Sequence, residues 1–82
     1  MDRALYGIRA VELAAGVAGP MTAMLLADFG ADVVKVETPT SSRDRQRPGF
    51  AMWGRGKSSM VLDLRSDRGS DQLRRLLDRA DV

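Results

Sequence analysis

The hydrophobic pattern of the first forty residues predicts a strand, a helix and a second strand in close succession. Gly7–Leu13 is typical of a short strand, and Asp32–Glu37 is rich in the β-branched residues that strands favour. Between them, Met21–Phe29 is apolar nearly all round, which is typical of a helix buried on more than one side. Pro20 suits the first helical position and Gly30 the C-terminal cap. Strand, helix and strand within about 30 residues predict a right-handed βαβ unit with parallel strands.

The second half of the chain has a long irregular stretch before its next regular pattern. Thr38–Arg55 contains several turn-forming residues and no steady period, so we predict a loop. Met60–Leu64 is predicted to be a third strand, and Ser66 to cap a second helix, with Asp67 favourable in its first turn. Apolar residues at helical spacing form one stripe that we expect to pack on the sheet: Leu73, Leu76, Leu77 and Ala80.

The order of these elements predicts an α/β fold with a Rossmann-like parallel sheet. It consists of βαβ, a long loop, a strand and a helix, with strands apolar enough for a sheet covered on both faces. The final letters "RADV", Arg79–Val82, repeat the pattern of "GADV", Gly30–Val33, where a helix leads into a strand. We therefore expect residues 1–82 to be the N-terminal part of a larger domain.

Composition excludes several kinds of active site. The 82 residues include no Cys and no His, which excludes a Cys nucleophile, a Ser-His-Asp triad and Cys/His metal sites within them. We predict no metal cofactor. The longest uncharged run, Leu13 to Ala27, has 15 residues, shorter than the roughly 20 that span a membrane. Without a membrane or export signal, the expected location is the cytoplasm.

Basic residues cluster between Arg43 and Lys57. This stretch has five basic residues against Asp44 alone, although the net charge of the whole chain is only +2. Such a cluster either attracts anions such as phosphate or is simply a solvated loop. No nucleic-acid recognition motif accompanies it, so nucleic acid is not an expected partner.

The letters "GRGKSS", Gly54–Ser59, resemble the end of a phosphate-binding P-loop. A P-loop needs a glycine where this chain has Ala51, and a helix where it has a strand pattern after Ser58. We therefore place Lys57 in a basic lip leading into a strand, where a surface salt bridge and a phosphate contact are alternative roles for it.

A second glycine motif follows the first predicted strand. Ala14-x-Gly16-x-x-Gly19, with Glu37 at the end of the next strand, is one residue short of the fingerprint of NAD-type dinucleotide binding. The alternative is that these glycines only let the helix and strand approach closely. Pro20 weighs against the dinucleotide interpretation, because it removes one early helix donor.

Three ordered stretches resemble the opening of the family III CoA-transferases, whose members include formyl-CoA transferase, carnitine CoA-transferase and α-methylacyl-CoA racemase. They are Ala18-Gly19-Pro20, the "FGADVVKVE" segment ending at Glu37, and the K-x-S-x-x-L-D-L pattern from Lys57 to Leu64. The resemblance covers nearly all of the chain except Thr38–Met52.

The resemblance implies a Rossmann-like domain that binds coenzyme A instead of NAD. Members form interlocked homodimers and either transfer CoA between carboxylic acids through an aspartyl-CoA intermediate or isomerise an acyl-CoA. The catalytic Asp is expected beyond Val82, so no catalytic residue is expected here. An alternative is a module that keeps the CoA fold for binding or assembly but has lost the chemistry.

The resemblance also implies which positions contact coenzyme A. They are Val17, Ala18, Leu62, Asp63, Leu64 and Arg65. Arg65 stands where the family usually has Lys, and Gly56 where it has Asn. Thr38 replaces an Arg that often contacts the nucleotide; Arg43, Arg45 or Arg47 are candidates to replace that contact.

Overall fold

Three strands and three helices alternate along the chain in a computed structural model, which describes residues 4–13, 16–40, 46 and 49–82. They are β1 (Arg9–Glu12), α1 (Ala18–Asp28), β2 (Asp32–Glu37), α2 (Phe50–Trp53), β3 (Lys57–Val61) and α3 (Asp67–Asp78). The predicted α/β class is confirmed. Among the residues described, no helix is long and apolar enough to cross a membrane.

All three strands are parallel, in the spatial order β1-β2-β3. Ala10 pairs with Val33, and Val33 pairs in turn with Lys57, so β2 lies in the centre of the three. The predicted parallel βαβ unit is therefore confirmed.

The last residue of the chain pairs with the other edge of β1. Val82 donates its N–H to the Arg9 carbonyl (3.2 Å) and accepts the Val11 N–H (2.9 Å), the pattern of a parallel ladder. The Arg9 N–H is bonded to the Asp81 carboxylate (2.9 Å). As a result, β1 has hydrogen-bonded neighbours on both sides.

Helix α1 begins earlier than predicted. A left-handed turn at Gly16 (φ 86°) leads into the helix at Ala18, so Pro20 is the third helical residue and not the first. This position also tolerates proline, because the first four helical N–H groups have no partner within the helix. Ala23 packs with Ala10 and Val33 in the core.

The outer side of α1 is exposed in residues 1–82, so burial of the helix on more than one side stays a prediction for the full-length protein. Met21, Leu25 and Phe29, one helical turn apart, are each about half exposed, while Pro20 and Met24 are buried. The sequence of an apolar helix predicts that the helix is packed against other elements, but it does not predict which of its sides these 82 residues bury.

The predicted loop of residues 38–55 contains the short helix α2, and β3 begins three residues before its predicted start. Gly56, with a left-handed φ of 73°, turns the chain beside Ala27 and delivers Lys57 to the edge of β2. Pairing with β2 therefore starts at Lys57, and Leu62, predicted within the strand, lies just beyond it and is buried.

Helix α3 is capped as predicted but packs more loosely than predicted. The Ser66 hydroxyl accepts the Gly69 N–H (3.0 Å). Of the apolar stripe, Leu76 is half-buried, whereas Leu77 is 48% exposed. Cavities of about 460 and 190 Å³ lie beside Leu76, the second also lined by Val34 of the sheet, so the helix covers the sheet incompletely.

Candidate functional site

The carboxyl ends of the three parallel strands meet at one edge of the sheet. These ends are Glu12, Glu37 and Val61. Open α/β sheets bind their ligands at this edge. Neighbouring strands lie about 4.8 Å apart, so roughly 10 Å separates β1 from β3. Val17 and Ala18 follow β1, and residues 62–65 follow β3, so the structure places both predicted binding segments at this edge, with β2 between them.

A cavity of about 330 Å³ lies beside the end of β1. Its lining includes Leu13 from the end of the strand, Ala18, Gly19 and Thr22 from the first turn of α1, and Val82. Ala18 thus faces the cavity, whereas Val17 does not line it and is 53% exposed. The volume is at the lower end of the range for small-molecule pockets, enough for one part of a larger ligand.

The N-terminus of α1 lies in the wall of this cavity and has no side-chain cap. Val17 precedes the helix and has no side-chain hydrogen bond to cap it. Within the described part of the chain, no hydrogen bond from the amides of Ala18 and Gly19 is found, and Pro20 has no amide hydrogen. The positive end of a helix dipole attracts anionic or strongly polar oxygen atoms.

The segment after β3 is a turn held by its own hydrogen bonds. Leu62 is 3% exposed, and its N–H donates to the Glu37 carbonyl (2.8 Å), so it offers no side chain to a ligand. The Asp63 carboxylate accepts the Arg65 N–H (3.1 Å), and its carbonyl accepts the Ser66 hydroxyl (2.8 Å). Asp63 thus shapes the turn through its own hydrogen bonds, whereas its predicted contact with coenzyme A stays a prediction.

Arg65 presents the free cation of this turn. Its side chain is exposed and forms no ion pair with any residue that the structure describes, while the neighbouring Leu64 is half-buried and its carbonyl accepts the Ser70 hydroxyl (3.2 Å). A guanidinium in this situation is able to bind a phosphate with two parallel hydrogen bonds. Arg65 is therefore the strongest anion-binding candidate at the β3 end of the edge.

The predicted contacts around Thr38 are only partly placed. Thr38 is exposed directly after β2, and its hydroxyl lies 3.2 Å from that of Thr40. Arg43, Arg45 and Arg47 lie outside the described residues, so their role as replacement contacts stays a prediction.

Lys57 occupies a buried ion cluster that the sequence reasoning missed. Its ammonium group donates to Glu12 Oε1 (2.5 Å) and to the Pro20 carbonyl (3.0 Å), while Lys35 donates to Glu12 Oε2 (2.7 Å). The side chains of Lys57 and Glu12 are each 2% exposed. The prediction of a basic lip is therefore wrong for Lys57, whereas its alternative, a salt bridge, is confirmed but lies in the interior and not at the surface. β3 begins where a P-loop would start a helix.

A usable signal for this cluster exists in the sequence. Lys35 alternates with Val33 on β2 and so shares its sheet face, which is the face that packs on α1. A lysine on a buried strand face needs an anionic partner. The available partner is Glu12, which faces Lys35 directly in the parallel register.

Arg55 is also paired. Its guanidinium donates to both oxygens of Asp28 at the end of α1 (3.2 and 2.6 Å). The hydrogen bonds from Arg55 lower the pKa of the Asp28 carboxyl, and the positive charge of Arg55 adds to this effect, against a smaller opposing effect of burial. The described basic residues nearest β3, Arg55 and Lys57, thus bind carboxylates of this chain.

No metal site is found among the described residues, where no cluster of three or more Asp, Glu, His or Cys side chains occurs.

Comparison with known proteins gives consistent matches. The profile of CoA-transferase family III matches residues 5–82. Human alpha-methylacyl-CoA racemase is 53% identical over 79 residues, which cover 96% of this chain and 19% of the racemase. Succinate–glutarate CoA-transferase of Agrobacterium fabrum is 39% identical over 94 residues, covering 95% of this chain and 24% of the transferase.

Solved structures agree with the fold. A hypothetical protein (Rv3272) from Mycobacterium tuberculosis superimposes with a TM-score of 0.86 at 36% identity, covering 99% of this chain and 24% of that one. A CAIB/BAIF family protein from Brucella suis gives a TM-score of 0.85 at 36% identity, covering 99% and 25%. The chain thus spans about a fifth to a quarter of the length of these relatives.

Proposed function

Since the chain belongs to CoA-transferase family III, we propose that residues 1–82 supply part of the coenzyme A site of an enzyme that acts on acyl-CoA esters. The family implies CoA esters as substrates. Membership of this family does not favour the NAD interpretation of the glycine motif. We therefore propose that the turn at Gly16 belongs to the CoA site.

The observation that carries this proposal is the cavity at the end of β1 beside the uncapped start of α1. The positive end of the α1 dipole at Ala18 and Gly19, which has no side-chain cap, suits a polar oxygen of the ligand in this cavity, such as a thioester carbonyl or an amide of the pantetheine arm. Arg65, on the other side of β2, suits a phosphate. A ligand that reaches both must be extended, as coenzyme A is.

Two reactions are compatible with the family, and similarity favours one of them. The human and mouse racemases are 53% and 46% identical to this chain, against 39% and 41% for two CoA-transferases that act on dicarboxylates. We therefore propose racemisation at the α-carbon of an acyl-CoA, with CoA transfer between carboxylic acids as the second candidate. None of the described residues is proposed as the catalytic group.

Binding is tested by calorimetry of the full-length protein with CoA and, separately, with NAD. Arg65→Gln is expected to weaken CoA binding about tenfold or more, because a hydrogen bond to a charged group typically contributes about 1.5–3 kcal/mol. Arg68→Gln, a change at an exposed arginine of the neighbouring helix, is the matched control and should bind CoA normally. Heat with NAD but none with CoA would reject the proposed function.

The phosphate assignment has its own control ligand. Pantetheine lacks the nucleotide phosphates, so Arg65→Gln and the wild-type protein should bind it equally weakly. A loss of pantetheine affinity in Arg65→Gln would contradict a phosphate contact.

The reaction is tested with a 2-methylacyl-CoA in D₂O. Racemisation predicts deuterium incorporation at the α-carbon without a second carboxylic acid. If no deuterium is incorporated and CoA is transferred to an added carboxylate, the enzyme belongs to the transferase branch. Neither activity in a protein that binds CoA would support the non-catalytic module.

We further propose that the full-length protein is a homodimer, as the family resemblance implies, and that it is cytoplasmic. Light scattering of the purified protein tests the dimer, and a monomeric mass would contradict it.

A further inference from the structure

Lys57 connects three elements of the structure through one buried ammonium group. It begins β3, donates to Glu12 at the end of β1 (2.5 Å), and donates to the Pro20 carbonyl in the first turn of α1 (3.0 Å). Its side chain is 2% exposed. A lysine this deeply buried needs an anionic partner, and its partner is Glu12, which it shares with Lys35.

The contact with Pro20 is not explained by helix stability. The N-terminal end of a helix carries a partial positive charge, so a cation beside the first turn is unfavourable for the helix itself. The bond does restrain the turn that contains Ala18 and Gly19. Glu12 and these two residues all line the 330 Å³ cavity, so the restraint acts directly on the wall of the candidate site.

We propose that Lys57 is a positioning residue for the acyl-CoA site. By binding Glu12 and the Pro20 carbonyl together, it holds the first turn of α1 against β1, so that the amides of Ala18 and Gly19 face the cavity. Lys57 itself is buried and acts on the ligand only through this turn. The inference rests on the proposed function, since it assigns the cavity to a CoA ester.

Lys35 offers a matched control within the same cluster. It donates to the other oxygen of Glu12 (2.7 Å), and no bond between its side chain and α1 is found in the described part of the chain. Lys57→Met and Lys35→Met each remove one lysine and leave Glu12 bonded to the other. The two variants differ in the contact with Pro20, which only Lys57→Met removes, and in the cation–π contact with the Phe50 ring (5.7 Å), which only Lys35→Met removes.

The experiment measures KM and kcat for the acyl-CoA substrate, CoA affinity and the thermal midpoint of the full-length protein. Lys57→Met is expected to raise KM and the Kd for CoA about tenfold, because displacement of a positioning element weakens binding well before it abolishes folding. Lys35→Met is expected to lower the thermal midpoint without this change in KM. Lys57→Arg, which keeps the charge and several donors, should restore much of the affinity.

The outcomes that would overturn the role of Lys57 differ from those that would overturn the proposed function. Normal CoA affinity in Lys57→Met, or an equal loss in Lys35→Met, would show that Lys57 only stabilises the fold. A wild-type protein that binds no CoA would overturn both proposals. If Lys57→Met does not yield folded protein, the triple variant Glu12→Met/Lys35→Met/Lys57→Met replaces the whole ion cluster by apolar side chains and leaves no unpaired charge; a folded triple variant with wild-type CoA affinity would again overturn the inference.

Discussion

For the substitution Gly69→Ala, sequence and structure predict changes of opposite sign in the free energy of unfolding. It is the third residue of α3, and replacing a helical glycine with alanine ordinarily stabilises a protein by up to about 1 kcal/mol. In this structure, a Cβ atom built on Gly69 would lie 1.8 Å from the Asp63 carbonyl oxygen and 3.1 Å from the Ser66 hydroxyl. The first distance is far shorter than any van der Waals contact.

The expected cost of Gly69→Ala follows from what must move. The near atom belongs to the backbone of Asp63 and cannot rotate away, so the turn before α3 must shift, at a cost of about 1–3 kcal/mol for overpacking. The shift also separates the Gly69 N–H from the Ser66 hydroxyl, a capping bond that contributes about 1 kcal/mol. After subtracting the helical gain of about 1 kcal/mol, we expect a net loss of roughly 1–3 kcal/mol.

Denaturant unfolding of the wild-type and variant proteins measures this difference. Arg68→Ala is the control, because Arg68 is exposed in the same helical turn and its replacement should change the free energy of unfolding by less than about 0.5 kcal/mol. A Gly69→Ala protein as stable as the wild type, or more stable, would show that α3 does not contact Asp63 as described here.

Three further predictions concern the C-terminal end of α1, the start of α2 and the core. Arg55 lowers the pKa of Asp28 below its ordinary value of 3.8, so the ion pair stabilises the fold above that pH and the contribution disappears as the pH falls through the lowered pKa; the stability difference between the wild type and Asp28→Asn should therefore shrink in acid denaturation series. Gly49→Ala should cost about 1–3 kcal/mol, because Gly49 has a φ of 88° and its Cβ would lie 2.9 Å from the ring of Trp53, the single tryptophan, whose fluorescence should report the displacement; an unchanged spectrum and stability would contradict this. Val33→Ala should lower the free energy of unfolding by about 2 kcal/mol, since Val33 is 1% exposed, and a change below about 0.5 kcal/mol would place it outside the core.

Local chemistry in the sequence is sufficient for several elements. The predicted bounds of β2 match the structure, because its run of β-branched residues favours a strand through its own side chains. Gly30 adopts a left-handed φ of 104° just after α1, as its capping role requires. Ser66 caps α3 through its own hydroxyl. Each of these features depends on residues that are close together along the chain, and so it is predictable from a local sequence pattern.

Features that depend on distant residues are not predicted. The start of β3 is set by the edge of β2, which Lys57 reaches through the turn at Gly56. The burial of Lys57 depends on Glu12, 45 residues away along the chain. Which side of α1 is exposed, including Leu25, is decided by where other parts of the chain pack against the helix. At the candidate site, the carboxyl edge is predictable from the parallel order, whereas the cavity and its restraint by Lys57 are not.

The shared carboxylate of Glu12 has a consequence for how this part of the chain is able to vary in evolution. Mutating Glu12 alone strands two ammonium groups in the interior, a defect that typically costs about 3–5 kcal/mol, whereas replacing a whole buried ion cluster by apolar side chains of similar volume is often neutral or stabilising. Substitutions at positions 12, 35 and 57 should therefore be inherited as a set, with the intermediate genotypes disfavoured.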